Sequence, residues 1–136
     1  MRVKRLSEIL GVTVDTVRYY TRIGYLNPGK NSANGYKDYE EKDLKRLRFI
    51  LSARQLGFSV EDVGKIIGVA EKGESPCPLV RRLLDQRLHQ TEKQFLQTVT
   101  LRKRMQEAIT EWENKPDNIP DGHMVCQLIE DFMDND

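Results

Sequence analysis

The sequence has few cysteines and no long run of apolar residues. Two of its 136 residues are cysteine, Cys77 and Cys126, too few for a disulfide scaffold or for an iron–sulfur cluster held by four cysteines of one chain. No apolar run approaches the ~20 residues that cross a bilayer, and the first residues do not resemble a signal peptide. We therefore expect a cytoplasmic protein without a membrane partner, built as one small domain with an appendage.

Motifs that carry catalysis are missing as well. The sequence contains no glycine-rich phosphate loop, no paired general acid and base, and no nucleophile–base constellation. Its charge is divided unevenly: residues 1–57 hold 12 Lys and Arg against 6 Asp and Glu, whereas the remainder holds 10 against 15. A basic first part joined to an acidic remainder favours a polyanionic partner. We predict a binding protein rather than an enzyme.

The basic part has the pattern of a helix-turn-helix. A first helix with apolar residues at helical spacing ends at Gly11, and Thr13 is the expected N-cap of a second helix that runs to about Arg22. The predicted outer face of the second helix carries hydroxyl, guanidinium and phenol groups: Thr16, Arg18, Tyr19, Tyr20 and Arg22. Cations neutralise phosphates and hydroxyls bind phosphate oxygens, so this face predicts contact with DNA.

A β-hairpin is predicted directly after the second helix. Asn34-Gly35 is a strong hairpin signal, because both central positions of a type I′ turn need positive φ. The hairpin would form a wing whose Lys30, Tyr36 and Lys37 extend the basic surface. Two further helices are expected, over residues 43–54 and from a capping box at Ser59 to about residue 70.

The next segment predicts a helix that is too long for a small domain to cover. After Pro78, residues 79–113 contain no Gly or Pro, and at ~1.5 Å per residue a helix over residues 78–113 would extend roughly 54 Å. Steps of four and three residues along this helix give an imperfect heptad stripe: Leu84, Leu88, Thr91, Phe95, Thr98, Arg102, Met105, Ile109 and Trp112. A second copy of the chain is the best candidate to cover the stripe, which predicts a homodimer.

Two cysteines and a histidine are the candidate metal ligands. Cys77 is predicted at the N-cap of the long helix, and His123 and Cys126 on one face at the start of a short final helix. If two long helices pair antiparallel, Cys77 of one subunit meets His123 and Cys126 of the other. Two thiolates and an imidazole suit Zn²⁺ or Cd²⁺, with water, Asp117 or Asp121 as a fourth ligand. The same proximity would also permit an interchain disulfide.

Several stretches of the chain resemble the MerR family of bacterial transcription regulators. They are Gly11-Val12-Thr13-Val14-Asp15-Thr16-Val17-Arg18-Tyr19-Tyr20, Ile23-Gly24-Tyr25-Leu26-Asn27-Pro28, Asn34-Gly35-Tyr36-Lys37-Asp38-Tyr39, Asp43-Leu44-Lys45-Arg46-Leu47-Arg48-Phe49-Ile50 and Ala53-Arg54-Gln55-Leu56-Gly57-Phe58-Ser59. The resemblance implies a mainly α fold in three segments: a winged helix-turn-helix DNA-binding domain over residues 1–72, a dimerisation helix over 77–114 that pairs as an antiparallel coiled coil, and an effector loop with a terminal helix over 115–136.

The resemblance also implies which residues bind DNA. Residues that match backbone-gripping positions are Arg18, Tyr19, Tyr20, Tyr36 and Lys37, and Thr16 lies nearest the bases. With the residues that charge and turn chemistry add, the expected DNA-binding set is Thr13, Thr16, Arg18, Tyr19, Tyr20, Arg22, Lys30, Asn34, Gly35, Tyr36 and Lys37. Lys30 and Lys37 stand where the family usually has Arg, so they keep the charge but lose the bidentate fork.

Family members bind a promoter pseudo-palindrome as dimers and act on RNA polymerase by bending and untwisting the spacer when an effector binds. Sensors of divalent ions usually carry a cysteine at the head of the dimerisation helix, which Cys77 matches. Their C-terminal loop typically holds two cysteines; Cys126 matches the second, and His123 replaces the first, which favours zinc or cadmium over lead or mercury. The alternatives are a thiol-, redox- or aldehyde-responsive regulator without metal and an effector-free architectural DNA-binding protein.

Overall fold

The computed structural model describes residues 1–134 and is mainly helical. Its elements, in chain order, are α1 (Val3–Leu10), α2 (Val14–Arg22), β1 (Gly29–Lys30), β2 (Lys37–Asp38), α3 (Glu41–Gln55), α4 (Val60–Glu71), α5 (Cys77–Trp112) and α6 (Gln127–Asp134). This order confirms the predicted helix-turn-helix, wing and long helix. The chain divides into two compact units, the first spanning Met1–Leu88 and the second beginning at His89.

The core of the first unit lies between the helix-turn-helix and the two helices that follow the wing. Its fully buried side chains are Leu6, Val17, Leu26, Tyr39, Leu47, Ile50, Phe58 and Val63. They come from α1, α2, α3 and α4 and from the segments beside the wing, so every element that carries a predicted DNA contact is fixed to one core. None of the helices between residues 1 and 134 combines the length and apolar character that a bilayer span requires.

The helix ends are set by local side-chain chemistry, as the sequence predicts. Gly11 ends α1 with φ 66°, and the Thr13 hydroxyl accepts a hydrogen bond from the Thr16 N–H at 3.1 Å at the start of α2. At the start of α4, Ser59 Oγ accepts from the Asp62 N–H at 3.1 Å and Asp62 Oδ2 accepts from the Ser59 N–H at 3.3 Å. This is the predicted capping box.

Asp62 also joins α4 to the first part of α5. Arg87 donates to Asp62 Oδ2 through Nε and Nη2, each at 2.9 Å, and Asp62 is buried. Burial opposes ionisation of this carboxyl, but the hydrogen bonds from Arg87 and Ser59 and the charge of Arg87 outweigh it, so its pKa lies below the ordinary value. The ionised form therefore stabilises the fold at neutral pH, and this contribution is lost as pH falls through the lowered pKa.

The wing forms, but its turn differs from the prediction. β1 and β2 pair antiparallel with Gly29 opposite Asp38 and Lys30 opposite Lys37, which leaves residues 31–36 as the loop. Gly35 has φ 75°. Every positive φ among the described residues belongs to a glycine, so Asn34 lacks the positive φ that a type I′ turn requires. The predicted type I′ turn is therefore wrong. Backbone bonds close the longer loop, from the Asn31 N–H to the Tyr36 carbonyl at 2.7 Å and from the Gly35 N–H to the Asn31 carbonyl at 2.8 Å. The side chains of Asn31 and Asn34 add bonds from the N–H groups two residues on, at 2.8 and 3.0 Å.

Tyr25 ties the end of the helix-turn-helix to α4. Its hydroxyl donates to the Val60 carbonyl at 2.7 Å, and its ring stacks on Tyr20 with 6.2 Å between centroids. Burial, with Glu61 nearby, raises the pKa of the Tyr25 hydroxyl and keeps it protonated as a donor. The ring lies so close to α4 that a Cβ at Gly64 would overlap the Tyr25 Oη and lie 3.0 Å from its Cζ.

Replacing Gly64 with alanine should therefore destabilise the chain, although alanine normally improves a helix interior. Gly68 in the same helix is the matched control, because a Cβ there meets nothing within 4 Å. We expect Gly68→Ala to raise the free energy of unfolding by up to ~1 kcal/mol and Gly64→Ala to lower it by ~1–3 kcal/mol through overpacking against Tyr25. Urea denaturation of the two variants measures the difference. Equal stabilisation by both would show that Tyr25 moves aside without cost.

Candidate nucleic-acid interface and metal ligands

The outer face of α2 presents cations and a phenol to solvent. Arg18, Tyr19 and Arg22 are exposed, and the Arg22 guanidinium lies 5.5 Å from the centroid of the Tyr19 ring. Thr16 is half-buried, and its hydroxyl lies 2.9 Å from that of the cap residue Thr13. These residues form one basic face, which we call the α2 face: Thr13, Thr16, Arg18, Tyr19 and Arg22. Its chemistry suits phosphate oxygens, as the sequence predicts.

Tyr20 does not belong to the α2 face. The sequence pattern predicts an outward position for Tyr20, but its side chain is only 6% exposed and belongs to the core. Tyr20 follows the buried Val17 by three residues and therefore shares its inward side of the helix. Its ring contacts Tyr19 edge-on at 5.1 Å and stacks on Tyr25, so Tyr20 supports the exposed Tyr19 from behind.

The wing places a second group of polar and basic residues at the surface. Lys30, Asn34, Gly35, Tyr36 and Lys37 are all exposed. Lys30 lies directly opposite Lys37 in the two-stranded sheet, and like charges at paired positions are destabilising. A protein surface that keeps such a pair is suited to an anion that neutralises both.

Arg2 is a cation of this surface that the sequence analysis missed. Its guanidinium lies 4.3 Å from the centroid of the Tyr36 ring, and together with Arg18 and Arg22 it lines a cavity of about 430 Å³ beside the wing. The basic character of residues 1–57 was the signal that could have pointed to Arg2. Its proximity to the wing depends on the tertiary fold, which spacing along the sequence does not reveal.

Cys77 is the first residue of α5 rather than its N-cap. The Pro76 carbonyl accepts a hydrogen bond from the Val80 N–H at 2.9 Å, so the cap lies one residue earlier than predicted. The Cys77 N–H donates to the Ser75 hydroxyl at 3.4 Å, and Cys77 is exposed and free of any disulfide. Its sulfur is therefore accessible to a ligand from outside the chain.

His123 and Cys126 lie before α6, not on one face of it. Glu130 Oε2 accepts from the N–H groups of Val125 and Cys126 at 3.2 and 3.0 Å, which caps the helix and starts it at residue 127. Asp121 Oδ1 accepts from the His123 N–H at 2.7 Å and so fixes the histidine in a turn. The predicted helical i, i+3 arrangement is therefore wrong, although both residues lie in the same short segment. Cys126 is free and half-buried, and His123 is exposed.

The candidate ligands do not form a complete metal site among the described residues. Over residues 1–134 no group of three or more His, Cys, Asp and Glu side chains is arranged to hold an ion. Asp117 and Asp121, the candidate carboxylate ligands, are both exposed. Cys77 belongs to the first unit, and His123 and Cys126 belong to the second.

The long helix leaves much of its apolar surface uncovered. Eight large apolar residues of α5 are between 36% and 66% exposed: Leu84, Leu88, Phe95, Leu96, Val99, Leu101, Met105 and Ile109. Trp112, the last residue of the predicted stripe, instead packs edge-on against Phe132 of α6 at 6.1 Å. The chain's own terminal helix thus covers the end of α5, while the rest of the stripe stays exposed.

Family models match this architecture over most of the chain. The model described as "MerR HTH family regulatory protein" matches residues 1–68, and the one described as "MerR, DNA binding" matches residues 44–108. The chain belongs to the MerR family. As a MerR protein it is a DNA-binding transcriptional regulator, and the prediction that it is not an enzyme is confirmed.

Individual MerR proteins are similar over different parts of the chain. An uncharacterized HTH-type transcriptional regulator of Pseudomonas aeruginosa is 30% identical over 132 residues, which cover 97% of this chain and 96% of that protein. The mercuric resistance operon regulatory protein of Bacillus cereus is 33% identical over 76 residues, 56% of this chain and 58% of that one. The crystal structure of the regulator PbrR691 from Ralstonia metallidurans CH34 in complex with lead(II) shares the fold, with a TM-score of 0.73, 21% identity and coverage of 96% of this chain and 98% of that one.

Proposed function

We propose that the chain is a metal-responsive transcriptional activator that acts as a homodimer. It binds a promoter pseudo-palindrome through the α2 face and the wing, and a divalent ion bound across the dimer interface makes it distort the spacer so that RNA polymerase can use the promoter. Zinc or cadmium is the favoured ion, with lead or mercury as the alternatives. The observation that carries the proposal is the placement of the two free cysteines, one at the start of α5 and one just before α6.

The charge of the first unit supports binding to DNA. Arg18 and Arg22 lie one turn apart on α2, and Lys30 and Lys37 are paired on the wing, so cations lie on both elements. Thr16, at the start of α2, is the α2-face residue we assign to base edges, because the N-terminal residues of a recognition helix reach into the major groove. Thr13 caps the helix, and Asn34 and Gly35 shape the loop that presents Tyr36 and Lys37. A cytoplasmic location follows from contact with promoter DNA.

The exposed stripe of α5 supports a homodimer. Apolar side chains exposed over many turns of one helix are a surface that a partner covers. An antiparallel partner places the start of one α5 beside the segment that follows the other. Cys77 of one subunit then approaches Cys126 and His123 of the second, which accounts for a donor set that no single chain completes.

The chemistry of the donor set fits a soft or borderline divalent ion. Two thiols and an imidazole are ligands that Zn²⁺ and Cd²⁺ share, and water, Asp117 or Asp121 would be a fourth ligand. Cys77 of one subunit and His123 and Cys126 of the other would hold the ion, which would thereby link the two subunits in the activating arrangement. Such a ligand shifts the dimer toward that arrangement in proportion to its preference for it. The similarity to a mercuric resistance regulator and to a lead-bound structure agrees with an effector of this class.

Metal titration of the purified chain tests this function. We expect native mass spectrometry to show one zinc or cadmium ion per pair of cysteines, with the loss of two reactive thiols per chain in a colorimetric thiol assay. In parallel, zinc and cadmium should raise transcription in vitro from a promoter whose spacer carries the DNA sequence that the chain selects from a random pool. Lead and mercury are added in separate titrations to rank the ions.

Each of the other outcomes of these titrations would indicate a different effector or none. If the chain bound only lead or mercury, one of these ions would be the effector instead of zinc or cadmium, and the chain would still be a metal-responsive regulator. Loss of thiols and induction by an oxidant or aldehyde, without bound metal, would establish a thiol sensor instead. Transcription that responds to neither would leave an architectural DNA-binding protein.

A further inference from the structure

The cavity beside the wing is surrounded by cations from three separate elements. Arg2 precedes α1, Arg18 and Arg22 come from α2, and Lys37 comes from β2; all four line a space of about 430 Å³. Val3, Tyr36 and Tyr39 complete its wall. No acidic side chain lines it. The only carboxylate of β2, that of Asp38, accepts a hydrogen bond from the Met1 nitrogen at 2.8 Å instead.

Arg2 is held at this cavity by backbone and ring contacts. The Tyr39 N–H donates to the Met1 carbonyl at 2.6 Å, which fixes the residue before Arg2 to the end of the wing. The Arg2 guanidinium then lies over the Tyr36 ring at 4.3 Å, a cation–π distance. Tyr36 is 59% exposed, and the Arg2 guanidinium supports one face of its ring.

Four cations around one open space repel each other unless an anion lies among them. Arg18 and Arg22 lie four residues apart on one helix, and Lys37 lies opposite Lys30 in the two-stranded sheet. Like charges therefore repel each other within both elements. An arginine offers a fork of donors that matches phosphate oxygens. A phosphate group is therefore the ligand that this cavity fits, and a DNA backbone crossing from α2 to the wing would supply one.

We propose that this cavity is the seat of one backbone phosphate of duplex DNA, and that Arg2 is part of the DNA interface. Arg2 contributes a charge to that phosphate and positions Tyr36, which connects the α2 face to the wing. The inference rests on the proposed function, because it requires that the chain bind DNA through these two elements. It adds a residue outside the helix-turn-helix and the wing to the contacts.

Salt-dependent DNA binding tests the role of Arg2. The probe is a duplex that the wild-type chain selects from a random pool, and its affinity is measured by fluorescence anisotropy over a range of KCl concentrations. Losing one phosphate contact lowers the slope of log K against log salt by about one unit, which corresponds to about eightfold weaker binding at ~0.1 M salt. We expect this loss for Arg2→Ala and, as the reference contact on α2, for Arg18→Ala.

Three further variants separate a contact from a structural effect. Arg2→Lys keeps the charge and should restore the slope. Arg48→Ala removes an exposed arginine of α3 that does not line the cavity, and should leave the slope unchanged. Because Arg2 and Tyr36 act together, Tyr36→Ala should weaken binding less in the Arg2→Ala background than in the wild type.

The outcomes distinguish this inference from the proposed function. Absence of salt-dependent duplex binding by the wild-type chain would overturn the proposed function itself. Wild-type binding with an unchanged slope in Arg2→Ala, whose thermal unfolding is measured to confirm that it folds, would overturn the phosphate seat alone. Calorimetric titration with inorganic phosphate covers the free anion: we expect no saturable binding, and saturable binding that Arg2→Ala removes would assign the cavity to a free anion instead of DNA.

Discussion

Cys126→Ser should abolish metal-induced transcription while the variant still binds promoter DNA as tightly as the wild-type chain. Serine keeps the size of cysteine but replaces the sulfur with a hydroxyl that binds zinc and cadmium poorly. Cys126 lies outside α1, α2 and the wing, so the substitution leaves the DNA surface intact. Cys77→Ser should give the same result, because the proposed site needs both sulfurs. The measurements are transcription in vitro with added zinc or cadmium, and anisotropy with the selected duplex.

The two histidines of the chain supply a matched control for these variants. His123→Gln should weaken the metal response, since His123 precedes Cys126 in the same exposed segment. His89→Gln should not, because His89 lies inside α5 and belongs to no predicted ligand set. If either cysteine variant lost DNA binding, or if both kept full induction, the metal site proposed across the dimer would be wrong.

Local chemistry made the helix-turn-helix and the capping box at Ser59 predictable from the sequence. Gly11 ends α1 because it can take positive φ, and Thr13 and Ser59 cap their helices through bonds to residues three positions on. Each of these features is decided within about four residues, so reading the residues in order was sufficient.

The mistaken predictions depend on contacts or competing bonds that the pattern does not contain. Tyr20 has the residue type of a phosphate contact, but its ring stacks on Tyr25 and is buried in the core. Asn34-Gly35 has the sequence of a tight turn, but backbone bonds between Asn31 and Tyr36, together with two asparagine side chains, close a longer loop. α6 starts later than predicted because Glu130, one turn inside the helix, caps the N–H groups of Val125 and Cys126.

The candidate metal site was predictable only as a set of donor types. The cysteines and the histidine are recognisable in the sequence, yet within residues 1–134 the structure assembles no complete ion site from one chain. Their proposed meeting requires a second subunit whose long helix runs in the opposite direction. That direction is an intermolecular property, and neither helical periodicity nor local capping encodes it.

Phe95→Glu should convert the proposed homodimer into monomers, because Phe95 lies at the middle of the exposed stripe of α5. Phe95 lies at the middle of the helix Cys77–Trp112 and is 66% exposed within the chain. When two such helices pair antiparallel over their full length, their midpoints meet, so the two Phe95 rings lie near the two-fold axis. Losing two buried aromatic side chains at ~1.5–3 kcal/mol each raises the dimer dissociation constant by about 10²- to 10⁴-fold. Two apposed carboxylates would weaken the dimer further.

Gln97→Glu is the matched control, since it adds the same charge two residues away on an exposed position outside the stripe, and it should leave the dimer intact. Sedimentation equilibrium over a range of concentrations measures the dissociation constant of both variants.

Mild oxidation of the wild-type chain and of Cys126→Ser reports the direction in which the two helices pair. Antiparallel helices allow a Cys77–Cys126 crosslink between subunits, which Cys126→Ser removes; parallel helices bring the two Cys77 residues together, and the crosslink survives. A surviving crosslink, or a monomeric wild-type chain, would contradict the shared metal site, because Cys77 of one subunit would then not lie beside Cys126 of the other.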